Sequence, residues 1–133
     1  MKKATVIEII DGDTLRVNYY DLPITLRISC VDAPELRKNM GIQSREYLTN
    51  LLKDKEINFE VLRRDAYNRY IANIFYQDLR VDELIVSAGM AYHWAKYSNN
   101  KLLFELENQA QIQKIGIWTD ENQAKRQKEL LRK

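Results

Sequence analysis

Two stretches of alternating apolar and polar residues dominate the first third of this 133-residue chain. The first runs from Leu15 to Tyr19 and the second from Ile24 to Cys30. A period of two places alternate side chains on opposite faces of a strand, so each stretch predicts a strand with one buried face. The segment Asp21-Leu22-Pro23 between them is typical of a turn. The chain is therefore expected to build its core on a β-sheet.

The remaining patterns extend this to a β-rich α+β fold. Three more strands are predicted over 4–10, 56–63 and 69–77, and helices near 44–53, 82–88 and 101–114. A bent five-stranded sheet with a helix between its third and fourth strands is the pattern of an OB-fold barrel. We therefore predict one domain over 1–133, a five-stranded OB-fold barrel with about three helices. Residues 120–133 are predicted to be a helical or frayed basic tail.

The charge balance limits how the chain can bind nucleic acid. The net charge is +2, and five of the 21 basic and three of the 19 acidic residues lie in 120–133, so that segment carries the whole excess. The rest of the chain has no strongly basic coat. Phosphate binding must therefore depend on a few specifically positioned arginines together with a metal ion.

The same composition bounds the broad class of protein. The 45% hydrophobic and 30% charged residues are ordinary for a globular domain. No apolar run approaches the roughly 20 residues that span a bilayer. One cysteine, Cys30, excludes an intrachain disulfide and is interpreted as a small core residue. The chain shows no signal peptide, so the expected location is the cytoplasm, or the exterior or cell envelope if a leader precedes Met1.

Acidic residues cluster at two predicted strand ends. Asp13 follows the first strand and Asp32 follows the third. Two carboxylates brought together repel each other, and a hard divalent cation would relieve this repulsion. Oxygen ligands suit calcium or magnesium, and one His and one Cys make a zinc site improbable. The segment Asp11-Gly12-Asp13 is equally typical of a simple turn, and that interpretation stays open.

Three further residues complete a possible hydrolytic set. Glu35 follows Asp32 by three positions, where it could take a proton from water, although alone it reads as a solvated loop acid. Arg27 lies in the opposite phase to the apolar residues of its strand, and Arg69 begins the fifth strand. Each guanidinium can hold two phosphate oxygens, or can simply form a surface ion pair. Together the five residues suffice for metal-assisted phosphodiester hydrolysis.

The order and separation of these clusters resemble a known family. The motifs are Asp11-Gly12-Asp13-Thr14, then Arg27, then Val31-Asp32-Ala33-Pro34-Glu35, then the Asp-x-Tyr-x-Arg run that ends at Arg69. This pattern is similar to the staphylococcal nuclease (thermonuclease) family, and the similarity runs from Ala4 to Trp118. The resemblance implies a calcium-dependent phosphodiesterase with little sequence preference. Such an enzyme cuts DNA and RNA at the 5′ P–O bond and leaves 3′-phosphate ends.

The resemblance also implies a role for each matching position. The residues it assigns are the calcium ligands Asp13, Asp32 and the backbone carbonyl of Ala33, with one ion per site; the catalytic residues Arg27, Glu35 and Arg69; the supporting acids Asp11 and Asp65; and the nucleotide-packing tyrosines Tyr67 and Tyr97. Two positions depart from the family pattern. Asn68 replaces a glycine and must accept positive φ if that turn needs it. Ala95 replaces a third tyrosine, which predicts weaker base stacking.

The expected partners are DNA and RNA, preferably single-stranded, with no membrane and no obligatory protein partner, and the protein is expected to be a monomer. Two alternatives remain. One is a catalytically weak or inactive module of the same family that binds nucleic acid or peptide. The other is an OB domain that binds single strands by charge and stacking, which the balanced charge disfavours.

Overall fold

The computed structural model describes residues 1–132 and contains eight strands, four α-helices and one 3₁₀ helix in those residues. In chain order the elements are β1 (Lys2–Asp11), β2 (Thr14–Tyr19), β3 (Leu22–Ile28), β4 (Val31–Asp32), α1 (Gly41–Leu52), β5 (Glu56–Arg64), β6 (Tyr70–Tyr76), β7 (Leu79–Arg80), α2 (Val81–Ser87), β8 (Tyr92–His93), α3 (Lys101–Gln113), the 3₁₀ helix (Gly116–Trp118) and α4 (Asp120–Leu131).

The five long strands close into a barrel. The strand order is β3-β2-β1-β5-β6-β7, and an additional parallel pairing of β3 with β6 joins the two ends of the five-stranded sheet. The other pairings in this sheet are antiparallel. Helix α1 connects β4 to β5 and packs against β1. The predicted β-rich α+β class and five-stranded OB-type barrel are confirmed.

The apolar phase of the strands fills the barrel. Leu15 and Val17 of β2 and Leu26 of β3 are fully buried, and Phe59 of β5 packs in the same cluster. Each such side chain contributes roughly 1.5–3 kcal/mol by leaving water. The alternation seen in the sequence therefore does mark the buried face.

The turn between β2 and β3 differs from the prediction. Tyr20 and Asp21 form the turn, with φ of 49° and 62°, and β3 already begins at Leu22. Two residues with positive φ make a hairpin turn whose twist matches that of the paired strands. Pro23 lies within β3, opposite Asn18. This part of β3 pairs on one side only, where a residue without an N–H is tolerated.

The predicted third strand also ends early. The strand stops at Ile28 rather than Cys30, because Cys30 has φ of 69° and turns the chain. Cys30 still packs against the core, as expected for a small apolar residue. The chain then forms β4, which pairs with β8 rather than with the barrel.

Asp120–Leu131 in the predicted tail form a helix, so residues 1–132 contain four α-helices rather than about three. Thr119 caps α4 by accepting a hydrogen bond from the Asn122 amide at 3.1 Å. Two side chains of α4 then bind the 3₁₀ helix: Asn122 donates to the Gly116 carbonyl at 2.8 Å and Gln123 to the Ile117 carbonyl at 2.7 Å. Among residues 1–132, none of the helices combines the length and apolar character that a membrane crossing needs.

Candidate active site

The loop between β1 and β2 holds the Asp13 carboxylate inside the protein, where only 5% of the residue is exposed. Its Oδ2 accepts a hydrogen bond from the Ala33 amide at 2.8 Å, and its Oδ1 accepts one from the Thr14 hydroxyl at 2.9 Å. The Asp13 amide donates to Asp11 Oδ1 at 3.0 Å, which fixes the turn. The first two sequence clusters are therefore in direct contact.

Two glycines allow these loops to approach each other. A Cβ on Gly12 would lie 2.7 Å from the Cβ atoms of both Ala33 and Ser44. A Cβ on Gly41, at the start of α1, would collide with the carbonyl of Glu35. Backbone without a side chain at both positions lets the Asp13 loop, the Glu35 segment and α1 pack closely.

Arg27 organises the turn after β3. Its Nη1 donates to the carbonyls of Ile28 at 2.6 Å and Val31 at 2.8 Å. Its Nη2 lies 3.4 Å from Asp13 Oδ2 and 3.6 Å from Asp32 Oδ1. One guanidinium thus shapes the turn and stands between the two carboxylates.

The predicted phase of Arg27 is correct, but the side chain is buried rather than presented on the surface. Its Cζ lies 4.9 Å from the ring centroid of Trp94, which covers it. The sequence offered no signal for Trp94, because the register of β8 with β4 decides this contact. That pairing places Asp32 opposite Tyr92 and Val31 opposite His93.

The buried acids carry raised pKa values. Burial raises the pKa of Asp13 from 3.8 to about 7; Arg27 opposes the rise and the neighbouring Asp11 adds to it. Burial also raises the pKa of the half-exposed Asp32, with Arg27 acting against it and the negative charges of Glu35 and Asp11 acting with it. Four carboxylates therefore influence one another electrostatically, which a bound cation would relieve.

Replacing Asp13 by Asn is expected to stabilise the metal-free protein at neutral pH. The folded protein keeps the Asp13 proton at pH values where the unfolded chain has lost it, because the folded pKa is about 7 and the ordinary value is 3.8. The associated stability is present below about pH 4 and is lost as the pH rises towards 7, at up to about 1.4 kcal/mol per pH unit.

This is measured by urea unfolding across that pH range with a chelator present. The free energy of unfolding of Asp13→Asn should fall less steeply with pH than that of the wild type. Asp21→Asn, in the exposed hairpin turn, is the matched control and should follow the wild-type curve. Parallel curves for Asp13→Asn and the wild type would contradict the buried-charge interpretation.

Glu35 is exposed beside this cluster. Within residues 1–132 its carboxylate makes neither an ion pair nor a hydrogen bond with another side chain or amide; only its backbone carbonyl is engaged, by the Lys38 amide at 2.9 Å. The carboxylate is close enough to Asp32 to contribute to the raised pKa of that residue. An unpaired acid in this position can accept a proton from a bound water.

The third cluster forms the turn between β5 and β6. Asp65 Oδ1 accepts hydrogen bonds from the amides of Tyr67 at 2.9 Å and Arg69 at 3.0 Å, and its Oδ2 accepts one from Arg69 Nε at 2.7 Å. Burial acts to raise the pKa of Asp65, but these hydrogen bonds outweigh it and lower the pKa. Asn68 has φ of 66°, so the expectation that it accepts positive φ is confirmed.

The barrel closure brings this turn next to Arg27. The parallel ladder pairs Arg27 with Ile71, two residues after Arg69, and residues two apart share a face. Strand geometry puts the Cα atoms of Arg27 and Arg69 roughly 8 Å apart. In the described chain the Nη atoms of Arg69 form no hydrogen bond, so its outer edge is available.

Each of the two predicted nucleotide-packing tyrosines lies near one of the two arginines, Tyr67 near Arg69 and Tyr97 near Arg27. Tyr67 is 80% exposed, and the Arg69 Cζ lies 5.3 Å from its ring centroid. Tyr97 is 54% exposed and meets Trp94 edge to face at 4.4 Å between centroids. A cavity of about 60 Å³ lies between Tyr97, Trp94 and Arg27. Ala95 is exposed and supplies no third ring.

The donors fit a hard cation. The candidate ligands are the carboxylates of Asp13 and Asp32 and the carbonyl of Ala33, all of them oxygen, as calcium prefers. Within residues 1–132, no three His, Cys, Asp or Glu side chains come together as a metal-binding group. Two carboxylates and a carbonyl leave several positions of a calcium shell for water or substrate.

Comparison with known proteins gives a consistent result. A family model described as "Staphylococcal nuclease homologue" matches residues 25–120. A protein of Escherichia coli named "Uncharacterized endonuclease" is 30% identical over 116 residues, covering 86% of this chain and 76% of that protein. One of the same name from Haemophilus influenzae is 31% identical over 118 residues, covering 88% and 66%. The "Micrococcal nuclease" of Shigella flexneri is 27% identical over 131 residues, covering 90% and 75%.

Proposed function

This chain belongs to the staphylococcal nuclease homologue family, and from that premise we propose that it is a calcium-dependent phosphodiesterase with little sequence preference. The family and its relatives support a nuclease function with nucleic acid as substrate. The finer proposal is hydrolysis of DNA and RNA at the 5′ P–O bond, with 3′-phosphate products. Single strands are the proposed preferred substrate, and the proposed active form is a monomer with one calcium ion.

One observation carries this proposal: two carboxylates flank a single guanidinium, with an unpaired acid beside them. Asp13 and Asp32 lie 3.4 and 3.6 Å from Arg27 Nη2, and Glu35 is exposed three residues after Asp32. Both aspartates are unfavourable in their charged form here, because burial raises their pKa values, Arg27 only opposes the rise, and the neighbouring acids add to it. A cluster of acidic residues beside an arginine is suited to binding a metal ion together with a phosphate group.

Each residue of the candidate site then has a proposed role in hydrolysis. Glu35 accepts a proton from the attacking water, whose oxygen bonds to phosphorus as the bond from phosphorus to the 5′ oxygen breaks. The 5′ oxygen leaves and takes up a proton from solvent water, so the products are a 5′-hydroxyl and a 3′-phosphate. Arg69 presents its free Nη edge to the phosphate oxygens, where charge builds in the transition state.

Asp65 is a positioning residue in this scheme, since it holds Arg69 through Nε and does not itself face the phosphate. Asp13, Asp32 and the Ala33 carbonyl would hold the calcium ion, which would supply positive charge that polarises the phosphate. Arg27 is the second arginine proposed to be catalytic and to bind phosphate, and it also fixes the turn before Asp32 by donating to the carbonyls of Ile28 and Val31. Asp11 fixes the Asp13 loop.

Cleavage is expected to require calcium. Single-stranded DNA and RNA oligonucleotides are incubated with the protein in calcium, in magnesium, and in calcium followed by excess chelator. Cleavage should appear with calcium and stop on chelation, and the products should be substrates for a 3′-phosphatase. If the protein binds the oligonucleotides but cleaves them in none of these conditions, the inactive module is supported instead. Cleavage that does not require a metal ion would contradict the proposed calcium ligands.

A further inference from the structure

A pocket of about 510 Å³ includes Asp32 and the proposed catalytic residue Glu35 in its wall. Arg126 of α4, Tyr92 and Trp118 also line it. Its volume is within the range of roughly 300–1,000 Å³ that small-molecule sites occupy. The proposed roles of Asp32 and Glu35 involve one part of this wall, and Arg126, Tyr92 and Trp118 have no part in them.

Arg126 is held in place over this pocket. Its Cζ lies 4.1 Å from the ring centroid of Tyr92, the residue directly across the β4–β8 ladder from Asp32. Among the ion pairs within residues 1–132 none involves Arg126, so its guanidinium edge is not neutralised.

Helix α4 is attached to the segment that carries Glu35. The Asn39 amide donates to Glu129 Oε2 at 2.8 Å, and the Asn39 side chain donates to Asn122 Oδ1 at 3.0 Å. Asn122, Arg126 and Glu129 lie on one face of α4, at helical spacing, and this face is the partly buried one. The position of Arg126 is thus tied to that of the catalytic segment.

Two of the four acids on the pocket wall accept hydrogen bonds from backbone amides, and Lys38 adds a second basic side chain to the wall. The acid Glu107 accepts a hydrogen bond from the His93 amide at 2.6 Å, and Glu129 accepts the Asn39 amide. Two buried side-chain nitrogens in residues 1–132 have no partner, His93 Nδ1 and Trp118 Nε1, and both residues line this pocket. Unsatisfied buried groups are rare and often indicate a water or ligand that completes them.

We infer that this pocket is a second nucleotide subsite, in which Arg126 binds the phosphate next to the one being cleaved and the attached nucleoside lies against Trp118. The inference rests on the proposed nuclease function. A strand whose scissile phosphate lies between Glu35 and Arg69 can continue into the pocket, because Glu35 belongs to its wall. Arg126 then contributes to binding of the strand and not to the chemical step.

The test compares Arg126→Gln with Lys128→Gln, which removes the same charge from an exposed position on the same helix. Binding of a fluorescent single-stranded oligonucleotide should weaken roughly tenfold for Arg126→Gln, as expected for one charge-assisted hydrogen bond, and little for Lys128→Gln. The salt dependence of binding should become shallower by about 0.7 in log–log slope. In cleavage, KM should rise while kcat stays unchanged.

A dinucleotide with one phosphodiester separates this role from a structural one. It has no second phosphate, so Arg126→Gln and wild type should cleave it with the same kcat/KM. Equal binding by Arg126→Gln and Lys128→Gln, or an equal loss on the dinucleotide, would overturn the inference while leaving calcium-dependent cleavage intact. If the wild type cleaves nothing, the proposed function fails, and the binding comparison still decides the subsite.

Discussion

Glu35→Gln is expected to lower kcat by roughly 10²–10⁴-fold on single-stranded DNA with calcium present. The substitution keeps the size of the side chain and removes its ability to take a proton from water. Because Glu35 is exposed and its carboxylate has no protein partner in residues 1–132, the fold should not respond. Both kcat and kcat/KM should therefore fall together, as expected when an interaction specific to the transition state is lost.

Glu46→Gln is the matched control, since Glu46 is exposed on α1 outside the site. Its activity should equal that of the wild type. Oligonucleotide binding by Glu35→Gln, measured in calcium, should be retained. A kcat within a few-fold of wild type would show that Glu35 is not the general base, and a parallel loss of thermal stability would indicate a structural cause.

Arg69→Ala is expected to lower kcat/KM by roughly 10²–10³-fold, the usual effect of removing one donor to a developing negative charge. The structure gives a reason to expect that this substitution removes the phosphate contact without unfolding the turn. Asp65 holds the turn through the amides of Tyr67 and Arg69, and these backbone hydrogen bonds survive the substitution. The turn should therefore keep its shape while the phosphate contact is lost.

Arg69→Lys refines this test, because it keeps the charge but loses the planar fork that can bind two phosphate oxygens. It should recover only a small part of the activity. Arg16→Ala is the matched control: it removes an arginine from a surface pair with Glu8 on the barrel. If Arg69→Ala and Arg16→Ala have similar kinetics, Arg69 does not contact the phosphate.

The barrel could be predicted because its signal is local. Alternation along β2 and β3 depends only on which residues are apolar, and the buried face follows from a period of two. The exact ends of the strands were harder to predict from the sequence. The turn at Tyr20-Asp21 and the early end of β3 at Ile28 both depend on residues other than glycine adopting positive φ, for which the sequence gives a weak signal.

The sequence likewise predicted some features of the candidate site and not others. The sequence motifs name Asp13, Asp32 and Glu35, and they are close together in the structure. What the motifs do not contain is the depth at which each group lies. Arg27 is predicted to bind phosphate or to form a surface ion pair, and the sequence does not indicate that Trp94 covers its side chain or that it donates to two backbone carbonyls.

Helix α4 shows the limit of pattern reading most clearly. It has no apolar stripe, so its sequence is equally typical of a frayed basic tail. It is instead held by polar contacts from Asn122 and Glu129 to the segment after Glu35. These hydrogen bonds join residues more than 80 positions apart, and the sequence around one residue gives no indication of its partner.

The sequence by itself determined the family, the barrel and the identity of the groups able to perform the chemistry, because apolar periodicity and motif spacing are properties of the chain. Only the tertiary structure decided the burial of Asp13, the position of Arg27 between two aspartates and the presence of Arg126 beside them. Burial and proximity set the electrostatic energy of a charge, and both depend on how distant segments pack. The same carboxylate is an ordinary acid on a loop and a group with a pKa of about 7 once the loops close around it.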